Sequence, residues 1–231
     1  MIWLSLATIE YNRNIHNQMK IEFSNINSVF LDMDGTLLDL HFDNYFWLTH
    51  LPKVYSIKNG ISNDEALKTL QPLFEKHQAT LNWYCVNFWS EQLSLDIMKH
   101  KAEVANKIGY RPQAQAFIEH CQNQVSDFRL ITNGHREVLN LKAEYTHLDK
   151  YFTDLVCSHE LNAPKEDIEF WQNLQKQKPF NPETTIFIDD SETVLDTANK
   201  YGIQHLYSIA KPDSTKQRAT ISKYRMLESF F

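Results

Sequence analysis

Hydrophobic and polar positions follow two different regimes along this chain. Val29-Phe30-Leu31 is a continuous apolar run that stops at Asp32, with Gly35-Thr36 following as a turn. A short run of this kind reads as a buried strand. From Asp43 to about Ile108 no β-like run occurs, and apolar residues recur at helical steps. Ser62-Asn63-Asp64-Glu65 has the form of a helix start, with Ser62 as N-cap and Glu65 at the third helical position. Leu67, Leu70, Leu73 and Phe74 continue its apolar face. Leu81 to Leu95 is rich in aromatics: Trp83, Tyr84, Phe88 and Trp89. The whole stretch reads as a helical insert.

Beyond Arg111-Pro112 a βα rhythm sets in. The pattern predicts helices near 113–124, 136–145, 166–177 and 192–201. They alternate with strands at 128–131, 155–157, 185–188 and 204–208. The tail, with Tyr224, Leu227, Phe230 and Phe231, reads as a last helix. Helices alternating with apolar strands imply a parallel sheet covered on both faces. The predicted fold class is therefore α/β, a Rossmann-like parallel sheet in three α/β/α layers with an inserted α-helical cap. Residues 19–40 and 110–231 form the core in this reading, and 41–109 the cap. Residues 1–18 are expected to be a disordered N-terminal extension: the apolar start is short, no basic segment precedes it, and it makes a poor signal peptide.

Composition narrows the function. With 231 residues, 42% hydrophobic, the chain has ample material for a core. Its 5 glycines and 7 prolines exclude a low-complexity or collagen-like chain. A net charge of −6 makes a nucleic-acid polymer a poor partner, and no apolar run is long enough to cross a membrane. A small phosphate remains a possible ligand where a few groups converge. Cys85, Cys121 and Cys157 form no CxxC pair and fit a reducing, cytoplasmic compartment. The 10 histidines are scattered, and no pair is read beside Cys or Glu at a metal-ligand spacing.

The chemistry concentrates at strand ends. Asp32-Met33-Asp34-Gly35-Thr36, Thr132-Asn133-Gly134, Pro164-Lys165 and Asp189-Asp190-Ser191 each follow one predicted strand. In a parallel sheet all of them converge on the carboxyl edge, where such folds bind ligands. Carboxylates facing one another there repel unless a cation intervenes. A hard, oxygen-loving ion such as Mg²⁺ meets that need.

These residues carry a resemblance. Phe30-Leu31-Asp32-Met33-Asp34-Gly35-Thr36-Leu37, with Thr132, Lys165 and Asp189-Asp190, resembles the haloacid dehalogenase superfamily of phosphohydrolases from about Ser28 to about Ser214. A closer likeness extends into the insert. Asp39 to Trp47, Leu81-Asn82-Trp83-Tyr84-Cys85, Ser90-Glu91-Gln92-Leu93, Pro164-Lys165-Glu166-Asp167 and Phe187 to Glu192 are similar to the bacterial GMP/IMP 5′-nucleotidases of that superfamily. Gly134 stands where the resemblance leads one to expect Ala, a small difference that preserves close backbone approach.

The resemblance implies a role for each residue. Asp32 would be the nucleophile, forming an aspartyl-phosphate. Asp34 would be the general acid and then base; an acid there favours a phosphatase. Thr132, Asn133 and Lys165 would bind phosphate. Asp32, the Asp34 backbone carbonyl and Asp189 would hold Mg²⁺, with Asp190 auxiliary. The substrate would be a small phosphomonoester, foremost a purine nucleoside 5′-monophosphate, with a sugar phosphate or phosphoglycolate as the alternative. A receiver-like regulatory module also carries acids and a Thr/Lys pair but lacks the large insert, and against a non-catalytic nucleotide binder stands the presence of every expected catalytic group. Within the insert, Trp47, Trp83, Tyr84 and Trp89 read either as core or as a purine-stacking wall, and Asn44 or Asn82 as a base contact. Asp43 reads as solvated surface or a helix cap.

Overall fold

The computed structural model describes residues 21–217 and 221–230. The extension expected at 1–18 lies outside the described residues. Six parallel strands form one sheet: β1 (Ser28–Leu31), β2 (Asp127–Thr132), β3 (Asp154–Cys157), β4 (Thr185–Ile188), β5 (His205–Ile209) and β6 (Arg225–Leu227). Their order is β3-β2-β1-β4-β5-β6, so the first strand is central. Its register pairs Leu31 with both Leu130 and Ile188. The residues that follow β1 and β4, Asp32 and Asp189, therefore leave the sheet side by side.

Every position of β1 and β4 is buried, as a strand covered on both faces requires. Alternation sorts their side chains between two layers. Val29 and Leu31 join a core with Phe117 and Ile118, while Phe30 joins another with Trp171 and Leu195. The helices that supply these layers are numbered below in chain order. Those of the core are α7 (Ala114–Gln122), α8 (Arg136–Thr146), α9 (Ile168–Gln177) and α10 (Glu192–Tyr201).

The insert between β1 and β2 is helical: α1 (His41–Tyr45), a π-helical turn (Phe46–His50), α2 (Leu51–Asn59), α3 (Asn63–His77), α4 (Leu81–Tyr84), α5 (Val86–Leu93) and α6 (Ile97–Ala102). The start of α3 carries the expected capping box: Glu65 N–H donates to Ser62 Oγ, and Ser62 N–H donates to Glu65 Oε2. The insert has a core of its own, including Phe42, Phe46, Leu70, Val86 and Trp89. Val138 and Leu141 of α8 belong to it, so one face of α8 is where insert and sheet layer meet.

The tail corrects the reading of a last helix. Arg225–Leu227 pairs in parallel with β5 as the edge strand β6, and Phe230 stacks on Phe117 with ring centroids 4.5 Å apart. The apolar spacing that suggested a helix serves a strand followed by an anchoring ring. Cys85, Cys121 and Cys157 are all free thiols; burial pushes Cys157 up to about 12, which favours the neutral thiol. Among the described residues no helix is long and apolar enough to cross a membrane.

Candidate active site

The site grows from the end of β1. Asp32 N–H continues the sheet by donating to the Ile188 carbonyl, which fixes the aspartate at the junction of β1 and β4. The chain then turns tightly. Gly35 adopts a positive φ of 83°, and a β-carbon there would lie 2.5 Å from Asp190 Oδ2. Only glycine allows both the turn and the close approach of Asp190. Arg111 braces the far side of this turn, donating from Nη1 to the Thr36 carbonyl at 2.9 Å.

Lys165 lies at the centre, 2% exposed. Its Nζ donates to Asp32 Oδ1 at 2.5 Å, to Asp189 Oδ2 at 2.7 Å and to the Ile131 carbonyl at 3.1 Å. Burial alone would lower its pKa, but the carboxylates of Asp189 and Asp32 outweigh that and hold the ammonium form. Burial pushes Asp32 up to about 6; Lys165 opposes the rise and Asp189 adds to it. Asp190 is raised well above the usual carboxylate range by burial, with Asp189 and Asp32 adding to it.

A cation fits this geometry. One carboxylate oxygen each from Asp32, Asp189 and Asp190 lie within 4.8 Å of one another. Asp32 Oδ2 is buried without a hydrogen-bond partner among the described residues. An orphaned acceptor among carboxylates is what a hard cation with oxygen ligands satisfies. The Asp34 side chain is not in that cluster.

Other expected residues fall around the same point. Thr132 is buried, its Oγ1 accepting from Gly134 N–H at 2.9 Å. The Asn133 side chain is committed elsewhere: Oδ1 accepts from Lys165 N–H, and Nδ2 donates to Glu166 Oε2. It locks the loop carrying Lys165 to the end of β2. Tyr84 Oη donates to the other oxygen of Glu166 at 2.5 Å, tying α4 to that loop.

One cavity of about 300 Å³ joins these groups to the insert. Asp32, Asp34, Thr132, Lys165 and Asp189 line it together with Trp47, Phe74, Trp83 and Tyr84. Trp47 and Trp83 stack with an interplanar angle of 21°. Trp89 does not line the cavity and is a core residue, 1% exposed. Asn44 lines it while donating to Asp213 Oδ2 at 2.7 Å.

Two readings need correction. Asp43 is not solvated surface. It accepts from Lys101 Nζ at 2.8 Å and from Lys142 Nζ at 2.6 Å. Burial opposes its ionisation, but these two ammonium groups hold it well below the usual carboxylate range. Lys142 also donates to Asp34, and neither lysine carries a local sequence signal. His50 and His100 are not isolated either: each places a ring nitrogen 3.0 Å from Glu103 Oε2. The one trace in the sequence is the spacing of His100 and Glu103, three apart on a helical stretch. This cluster joins two parts of the insert and does not line the cavity.

Comparison with known proteins bears on the family and the fold. The family model described as Haloacid dehalogenase-like hydrolase matches residues 29–207. The chain is 39% identical over 196 residues to the GMP/IMP nucleotidase YrfG of Escherichia coli (strain K12), covering 85% of this chain and 88% of that protein. The same figures hold for the YrfG of Shigella flexneri. Among solved structures, a HAD phosphatase from Thermococcus onnurineus superposes with a TM-score of 0.72 at 21% identity, over 87% of this chain and 93% of that one. The HAD-hydrolase YfnB from Bacillus subtilis, bound to magnesium, gives 0.63 at 18% identity, over 89% and 95%. These structural likenesses concern the fold.

Proposed function

The chain belongs to the haloacid dehalogenase-like hydrolase family, and from that premise we propose that it is a Mg²⁺-dependent phosphatase of purine nucleoside 5′-monophosphates, GMP and IMP foremost. The observation that carries the reading is one cavity lined by two unlike sets of side chains. Its lining includes acids around a buried lysine and aromatic rings supplied by the insert. A phosphate ester whose alcohol carries a flat, aromatic base matches both sets. The identity to GMP/IMP nucleotidases extends over the insert as well as the core, which supports the purine assignment.

The residues divide the work. The Asp32 carboxylate attacks phosphorus, forming the bond that makes an aspartyl-phosphate, while the bond from phosphorus to the ester oxygen breaks. Asp34 gives its proton to that departing oxygen, releasing the nucleoside. Water then attacks the same phosphorus, Asp34 takes the proton back, and inorganic phosphate leaves with Asp32 restored. Lys165 balances the charge of Asp32 and Asp189 throughout. Thr132 and nearby backbone N–H groups orient the phosphoryl oxygens. Asp32, Asp189 and the Asp34 backbone carbonyl would hold magnesium, with Asp190 beside them; bound there, it would supply Lewis-acid charge for the phosphoryl group. The insert acts as a cap that excludes water from the phosphoenzyme.

The test is phosphate release from GMP, IMP, AMP, UMP, a hexose phosphate and phosphoglycolate, each with Mg²⁺ and with EDTA. Metal-dependent release strongest from GMP and IMP supports the proposal. Faster release from the hexose phosphate would keep the chemistry and reject the purine assignment.

A further inference from the structure

Lys142 lies on α8, a helix of the sheet layers, and is 1% exposed. A lysine so buried is costly unless its charge is matched. Its Nζ donates to Asp34 Oδ1 at 2.5 Å and to Asp43 Oδ2 at 2.6 Å, and lies over the Phe42 ring at 5.2 Å from the centroid. Asp43 Oδ1 in turn accepts from Lys101 Nζ at 2.8 Å. The result is one chain of ion pairs, Lys101–Asp43–Lys142–Asp34. Two of its members, Asp43 and Lys101, come from the insert, and the chain ends on the acid of the proposed reaction.

We infer that Lys142 is a positioning residue that aims the Asp34 carboxyl at the departing ester oxygen, and that Asp43 of the insert holds Lys142 in place. The inference rests on the phosphatase reading above. The two oxygens of Asp34 have different surroundings. Oδ1 is held by Lys142, which can only donate, so the transferable proton belongs on Oδ2. Oδ2 faces the expected phosphate loop: a β-carbon built on Gly134 would lie 3.7 Å from it and 3.1 Å from Thr132 Oγ1. Lys142 therefore selects both the rotamer and the oxygen. The proton passes from Oδ2 to the ester oxygen as that oxygen leaves phosphorus; Oδ1 keeps its hydrogen bond from Lys142, which becomes an ion pair as the carboxylate forms. Because Asp43 is the other anchor, the acid is aimed only while the insert keeps Asp43 over α8.

An acid of this kind matters in proportion to the basicity of the leaving group. A ribose 5′-oxygen needs a proton to depart, and a nitrophenolate does not. The test compares kcat/KM, which covers the steps up to leaving-group departure, for GMP and for p-nitrophenyl phosphate with Mg²⁺ present. In Lys142→Met the value for GMP is expected to fall by about 10²-fold or more, the scale of general acid catalysis. For p-nitrophenyl phosphate it should fall by less than about tenfold. Asp43→Asn keeps the shape and removes one anchor; it should show the same selective loss at smaller size, and it serves as the readout if Lys142→Met does not fold. Equal losses on both esters in a folded variant, or no loss on GMP, would overturn the positioning role while leaving the phosphatase reading intact. A wild-type protein that hydrolyses neither ester would overturn that reading and this inference with it.

Discussion

Lys165 and Asp32 are 133 positions apart in sequence, yet their side chains meet at 2.5 Å. The same ammonium reaches Asp189 at 2.7 Å, so one buried cation separates two buried carboxylates. Removing it leaves the acids facing each other. Lys165→Met is expected to lose about 3–5 kcal/mol of stability without metal, the usual cost of breaking a buried ion pair. Saturating Mg²⁺ should recover part of that loss, since a ligand that binds only the folded state stabilises it. Urea unfolding with and without Mg²⁺ measures both; an unchanged midpoint in the metal-free variant would contradict the account.

Metal binding should depend on pH. Burial pushes the Asp32 carboxyl of the metal-free protein up to about 6, so below that value protons compete with the ion for the same oxygens. The sign follows: affinity is full above about 6 and falls as pH drops through it, by about tenfold per unit for one competing proton. The rise in Tm caused by Mg²⁺ should be clear at pH 8 and nearly absent at pH 4.5. An equal rise at both would contradict the assignment of Asp32 as a ligand.

Two glycines beside the site should respond differently. Gly35 has φ +83°, and an added β-carbon would meet Asp190 Oδ2 at 2.5 Å and Pro212 Cβ at 3.1 Å. Gly35→Ala is expected to cost more than about 1 kcal/mol and most of the activity, because backbone and Asp190 must both shift. At Gly134 the nearest atoms would be Thr132 Oγ1 at 3.1 Å and Met33 Cε at 3.3 Å. A shift of a few tenths of an ångström accommodates that, and Gly134→Ala should stay within about 1 kcal/mol of the parent. Parallel measurement of Tm and phosphate release separates the two.

In the proposed function the rings of Trp47 and Trp83 select the leaving group. Trp47 and Trp83 line the cavity as a stacked pair. Trp83→Ala should raise KM for GMP by about 5–100-fold, corresponding to about 1–3 kcal/mol of base stacking. Ribose 5-phosphate, which has no base, should be nearly unaffected. Equal changes for both would mean that the rings serve only the packing of the insert.

The sequence reveals what is local and misses what is paired at a distance. Val29 to Leu31 and Thr185 to Ile188 read as strands because their runs are continuously apolar, and both form strands with every residue buried. The capping box at Ser62 and Glu65 is also local, and it forms. The acid and lysine motifs were visible because each directly follows a strand or sits in the next loop. The edge strand Arg225–Leu227 was not, since its pairing with β5 is a long-range matter and its apolar spacing suits a helix equally well. Asp43 read as solvated surface or a helix cap for the same reason: its partners Lys101 and Lys142 are 58 and 99 positions away. Only the packing of α1 and α6 against α8 gives them a shared purpose.

In the proposed reaction Asp32 takes the phosphoryl group from a nucleoside monophosphate. The most direct measurement is phosphate release from GMP with Mg²⁺ by the parent protein and by Asp32→Asn, with GMP binding checked on the variant. The account predicts rapid release by the parent, and a loss of at least about a thousandfold in a variant that still binds GMP, as expected when a nucleophile is removed. A variant that binds GMP and still releases phosphate at the parent's rate would contradict it.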